Sequence, residues 1–95
     1  MTEAAPHPDG DWCEHFGASL AGSTLVGPVI TPELRATLLR IARDVAHGTE
    51  RRNAPVAAFI AGRYVEARRA QGVSAAAALS EVAEVAARLL PDATP

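Results

Sequence analysis

Ile41-Ala-Arg-Asp-Val-Ala-His-Gly-Thr-Glu-Arg-Arg-Asn-Ala-Pro-Val56 decides how this chain folds. Leading into it, Leu34, Leu38, Ile41, Ala42 and Val45 recur at helical spacing and form one apolar stripe. Leading out of it, Val56, Phe59, Ile60, Tyr64 and Ala67 form another. Between the two, Gly48 is placed to end a helix in the left-handed conformation that glycine adopts freely. Asn53, Ala54 and Pro55 start the next helix, with proline in the first turn, where its missing N–H goes unneeded. The stretch therefore predicts two helices meeting at a tight polar corner.

Working outward, Thr31-Pro32-Glu33 is a helix start: a hydroxyl cap, a proline at the first helical position and an acid near the positive end of the dipole. On the other side, Ser74 caps a last helix whose Leu79, Val82, Ala83, Ala86, Leu89 and Leu90 make a further stripe before Pro91. Asp9 or Asp11 can cap a first helix over about residues 11–22, with Trp12, Phe16, Ser19 and Leu20 on one side. Residues 23–30 are apolar, but Gly27-Pro28 interrupts them and no second strand exists to pair with. They read as a loop lying on the core. The prediction is an all-α fold: a compact four-helix antiparallel bundle over 11–90, a lead over 1–10, a tail over 91–95, and an apolar loop between the first two helices. Leu38, Ile41, Val45, Phe59, Ile60, Leu79, Val82, Ala86 and Leu89 are its expected core. Gly62, mid-helix, implies the close approach of another backbone.

Composition agrees. The chain has 95 residues, 48% of them hydrophobic, and much of that share is alanine, which favours close helix packing. A chain of this length makes one domain. Its net charge of −2 argues against a nucleic-acid module. That average hides a split, since residues 1–34 carry five acids and no base while residues 35–69 carry eight arginines against three acids. Cys13 is the sole cysteine, which excludes an internal disulfide and a cysteine-cluster zinc site. The N-terminus has neither a basic region nor an apolar core, so no secretory signal is expected, and no apolar run is long enough to span a membrane. A cytoplasmic setting is expected.

The corner holds the residues most able to do polar work. Asp44 and His47 are three apart at a helix end, as a carboxylate and an imidazole would be for proton transfer or half a metal site. The alternative is that His47 and Arg51 tie the corner by donating to free helix-terminal carbonyls. Arg43 and Arg51, beside Arg52 and a helix N-terminus, can take an anion. Arg43, Asp44, His47 and Arg51 are thus the candidate contacts for a ligand or partner, with Gly48, Asn53 and Pro55 shaping the corner. His7, Cys13 and His15 lack the spacing of a zinc site, and no serine has a nucleophile context or a placed base. No catalytic residue, metal or cofactor is expected.

Around this corner the sequence resembles a small actinobacterial domain of uncharacterised function, found alone or appended to the C-terminus of molybdenum-cofactor guanylyltransferases. The matching residues are Trp12, Leu39, the run Ala42-Arg43-Asp44-Val45-Ala46-His47-Gly48, Arg51, Ala54-Pro55, Phe59 and Gly62, over roughly 11–90. The resemblance implies an all-α accessory domain linked to molybdopterin-dinucleotide formation, with no catalytic residues to carry over. The chain departs from that pattern at 1–10 and 21–31, and it has no nucleotidyltransferase domain. The functional expectation is a non-catalytic accessory or protein-interaction module connected with molybdenum-cofactor assembly or delivery. Its partner would be another protein or a second copy, not nucleic acid or membrane. The alternative is a module that binds a small anion or nucleotide at the corner.

Overall fold

The structure, a computed structural model, describes residues 9–21 and 30–91. Among them are four helices and no strand: α1 (Asp9–Ala21), α2 (Pro32–Gly48), α3 (Asn53–Arg69) and α4 (Ala75–Leu89). The all-α, four-helix architecture is the one the periodicity predicts. The chain divides into two compact units, residues 1–30 and 31–95. The expectations for the lead, for most of the 23–30 segment and for the last four residues lie outside the described residues.

In the first unit, α1 begins two residues before the predicted start. Trp12 and Phe16, one turn apart, stack with ring centroids 5.1 Å apart. Both are exposed, as are Leu20 and Cys13.

In the second unit, each of α2, α3 and α4 packs against the other two. Local chemistry sets where they start. The Thr31 hydroxyl accepts a hydrogen bond from the Leu34 N–H at 3.1 Å, and the Ser74 hydroxyl accepts one from the Ala77 N–H at 3.1 Å. Each cap satisfies an N–H that the first helical turn leaves unpaired, and its loss costs about 1 kcal/mol. At the end of α3 the Gly72 N–H donates to the Arg69 carbonyl and the Val73 N–H to the Arg68 carbonyl. This is the paired closure that needs a left-handed residue, and Gly72 supplies it with φ +91°.

Gly48 works differently from expectation. Among the described residues Gly72 is the glycine with positive φ, and Gly48 ends α2 without that conformation. A Cβ at Gly48 would come within 3.0 Å of Leu90 Cδ2 and 3.4 Å of Pro91 Cδ, so its small size lets the C-terminal ends of α2 and α4 meet.

The buried cluster is Ile41, Ala61 and Leu79, surrounded by Leu34, Leu38, Val45, Val65, Val82, Ala83 and Ala86. Three expected core residues are not in it: Phe59, Ile60 and Leu89 are 67%, 60% and 77% exposed. For Phe59 and Ile60 the reason lies in α3, which has two apolar faces. The face built from Ala54, Ala58, Ala61 and Val65 turns inward, while the bulkier Val56, Phe59, Ile60 and Tyr64 turn out. Small side chains let helices approach to the short end of the usual spacing of about 8–10 Å, and the neighbouring helices then occupy the room an aromatic would need. Gly62 marks no close approach, since a Cβ there would meet nothing within 4 Å.

Candidate functional site

The corner between α2 and α3 is built from exposed side chains. Arg43 Nε donates to Asp44 Oδ1 at 3.4 Å, and Arg52 Nε donates to Glu50 Oε1 at 2.8 Å. Each pair joins near neighbours in sequence. Asp44 is therefore engaged by Arg43, not by His47, and no carboxylate–imidazole pair forms among the described residues. His47 and Arg51, read as ties across the corner, are exposed, and among the described residues neither side chain makes a hydrogen bond or ion pair.

The tie is made instead by Thr49 and Asn53. The Val45 carbonyl, left free where α2 ends, accepts from the Thr49 N–H at 2.9 Å and from the Thr49 hydroxyl at 2.6 Å. That hydroxyl oxygen in turn accepts from Asn53 Nδ2 at 3.1 Å. A short hydroxyl beside the carbonyl reaches it without ordering a long side chain, which is why threonine rather than arginine closes the turn. Asn53, one of the residues expected to shape the corner, enters this tie as a donor. Pro55 lies in the first turn of α3.

Beyond this tie runs an open concavity, a groove of about 510 Å³ between α3 and α4. Ile41 and Val45 of α2 contribute to its lining, Ala57, Ile60 and Ala61 belong to its α3 side, and Val82, Val85, Ala86 and Leu89 to its α4 side. Ile60 and Leu89 carry the exposures given above and Val85 is 42% exposed, so the groove is open to solvent along these side chains. Its volume lies within the roughly 300–1,000 Å³ of ligand sites.

Both ends of the groove are polar and carry hydrogen bonds within the chain. At one end are Thr49 and Asn53. At the other, the Tyr64 hydroxyl donates to Glu81 Oε1 at 2.6 Å, while Arg68 donates through Nε to Oε1 at 3.0 Å and through Nη2 to Oε2 at 3.2 Å. Arg68 Nη1 also donates to Gln71 Oε1. This forked pair clips α3 to α4. The donors shift the titrations: the hydrogen bond from Arg68, then that from Tyr64, hold the Glu81 carboxyl below its ordinary value. Donation to that carboxylate raises the Tyr64 phenol, and the bond to Glu81 raises Arg68.

Sequence reasoning did not find this site. One signal was present: α3 offers more large apolar side chains than its inward face can bury, and the surplus repeats at Val56, Ile60 and Tyr64. The Glu81 cluster left no such trace, because its members lie 13 and 17 residues apart in the chain.

Among the described residues, no three His, Cys, Asp or Glu side chains gather as a metal site would require, and His7 lies outside those residues. No helix among them is long and apolar enough to cross a membrane. What the groove can do chemically is shelter apolar side chains between two polar stops. Neither a curated protein nor a solved structure matches the chain. A family model does, over residues 5–94, and on that match the chain belongs to the family described as a domain of unknown function, DUF6457.

Proposed function

We propose that this chain is a non-catalytic protein-interaction module whose α3–α4 groove takes the apolar face of a helix from another protein. The observation that supports the reading is the open row of Ile60, Val85 and Leu89 between polar ends. Large apolar side chains grouped in one concavity are what a helix-in-groove interaction uses, and scattered ones are not. For the alternative of a small anion the corner offers Arg51 and His47, both exposed, while Arg43 and Arg52 are engaged with Asp44 and Glu50. The resemblance of the 42–55 segment to the domain appended to molybdenum-cofactor guanylyltransferases suggests the setting: the partner belongs to molybdenum-cofactor assembly or delivery.

Affinity capture from the native host tests the reading, using wild-type chain beside Ile60→Glu and Leu89→Glu. A glutamate at either exposed site leaves the helical circular dichroism intact while removing apolar contact. A protein bound by wild type and lost from both variants is the expected result, and its identification as a molybdenum-cofactor protein supports the setting. A partner retained by both folded variants overturns the assignment of the groove.

A further inference from the structure

The groove's dimensions and the charges left unpaired beside it describe its occupant more narrowly. From Asn53 to Tyr64, the α3 residues that bound its polar ends, a helix advances roughly 16 Å at about 1.5 Å per residue, or some three turns. The apolar stripe of the occupant is therefore about three turns long.

Most charges near the groove are spoken for. Glu81 is neutralised by Arg68, and Arg69 pairs with Glu66 at 3.2 Å. Beside the apolar row two cations are not: among the described residues Arg63 and Arg88 have no hydrogen-bond or ion-pair partner, as is also true of Arg51 at the corner end. Arg63 follows Ile60 by three positions on α3, and Arg88 follows Val85 by three and precedes Leu89 on α4. Helical spacing therefore places one unpaired guanidinium beside an exposed groove residue on each flanking helix. Glu84 is the unpaired acid of α4. It lies one turn before Arg88 and, with about 100° between successive residues, roughly 40° farther from the groove side.

We infer that the groove selects an acidic amphipathic helix: about three turns, with apolar side chains at successive turns and carboxylates on either flank to meet Arg63 and Arg88. The inference rests on the reading of the groove as a helix-binding surface and adds the sign of its partner's charge. The apolar anchors supply the affinity, and the flanking carboxylates supply orientation and selectivity.

Three synthetic peptides sharing one leucine stripe, flanked by glutamate, glutamine or arginine, separate the two claims. Each is titrated into the full-length chain while amide resonances are followed by NMR. The glutamine peptide is expected to shift resonances around Ile60 and Val85. The glutamate peptide should bind roughly threefold to tenfold tighter than it, the gain of about two solvent-exposed ion pairs, and should lose that advantage in high salt. The double variant Arg63→Glu/Arg88→Glu should prefer the arginine peptide. Glutamate and arginine peptides binding equally well would overturn the inference and leave the helix-binding reading standing. Failure of all three to shift groove resonances overturns both. Sedimentation equilibrium showing a dimer that Ile60→Glu dissociates would assign the groove to a second copy, and overturn the inference on that ground.

Discussion

Two polar clusters flank the same groove, and they differ in what holds them. At the α2–α3 corner the ion pairs join residues one and two apart in sequence, on side chains that are half or more exposed. At the other end Arg68 and Glu81 join two helices, with side chains about one-third exposed. The corner is denser in charge and more conspicuous as sequence. The α3–α4 cluster is the one that shifts titrations and clips helices together. Charge density along a chain measures how well a segment is solvated, whereas a contribution to the fold requires partners from different elements.

The contrast between buried and open sites is largest among apolar side chains. Ile41, buried in the α2–α3–α4 cluster, and Ile60, open on the groove, carry the same side chain. Ile41→Ala should cost about 2–4 kcal/mol by removing packed volume from a small core. Ile60→Ala should cost well under 1 kcal/mol, because its side chain already meets water. Chemical denaturation of both variants checks this, and equal losses would show that the alanine-lined face of α3 is not the packed one.

The glycines sharpen the same contrast between local rule and tertiary setting. Gly72→Ala should cost about 1–2 kcal/mol, since its φ of +91° strains any side chain. Gly62→Ala should gain about 0.5–1 kcal/mol, because open space receives the methyl group and the helix loses an entropic penalty. Thermal melts with opposite signs are the expected result. A loss at Gly62 would reveal a contact on that face.

These pairs show how the sequence could be read and where it misled. Thr31 and Ser74 were legible as caps because a cap is a bond across three residues. The alternation of four helices and three clear stripes was legible for the same local reason. The facing of α3 was not, because ranking residues by hydrophobicity favours Phe59 and Ile60 over Ala58 and Ala61. Packing selected the smaller set, and Ala61 is 2% exposed. In the candidate site, Thr49 was not singled out. Hydroxyl-to-carbonyl closure is so common at helix ends that it carries no distinctive pattern, while histidine and arginine attract notice wherever they fall.

Acid and alkali probe the α3–α4 cluster directly. The folded carboxyl of Glu81 lies below its unfolded value, so its stabilisation is present above the unfolded pKa and is lost as pH falls through the folded one. Tyr64 runs the other way: its folded phenol is raised, so its share is present below the ordinary phenol pKa and is lost as pH rises through the folded value. Glu81→Gln should therefore lower the melting temperature at neutral pH and differ little from wild type once acid has protonated Glu81. Tyr64→Phe should show its deficit at neutral pH and lose it in strong alkali. A constant deficit for Glu81→Gln across the acid range would mean that the carboxylate is not what clips the helices.

The smallest effect decides what the corner is for. His47 and Arg51 are exposed and unpaired among the described residues, while Thr49 supplies both donors to the Val45 carbonyl. His47→Ala and Arg51→Ala should each change stability by less than about 0.5 kcal/mol, the usual range of an uninvolved surface site. Thr49→Ala removes a hydroxyl that both donates to Val45 and accepts from Asn53, and should cost about 0.5–1.5 kcal/mol, the net worth of a hydrogen bond. Thr49→Ser keeps the hydroxyl and should recover most of that loss. Denaturation curves for the four variants in one buffer make the ordering visible. If His47→Ala proved as costly as Thr49→Ala, imidazole would have to be closing the turn, and the corner would regain the bracing role its sequence suggested. If His47→Ala left stability unchanged but weakened partner capture, the exposed imidazole would extend the binding surface beyond the Thr49–Asn53 end of the groove.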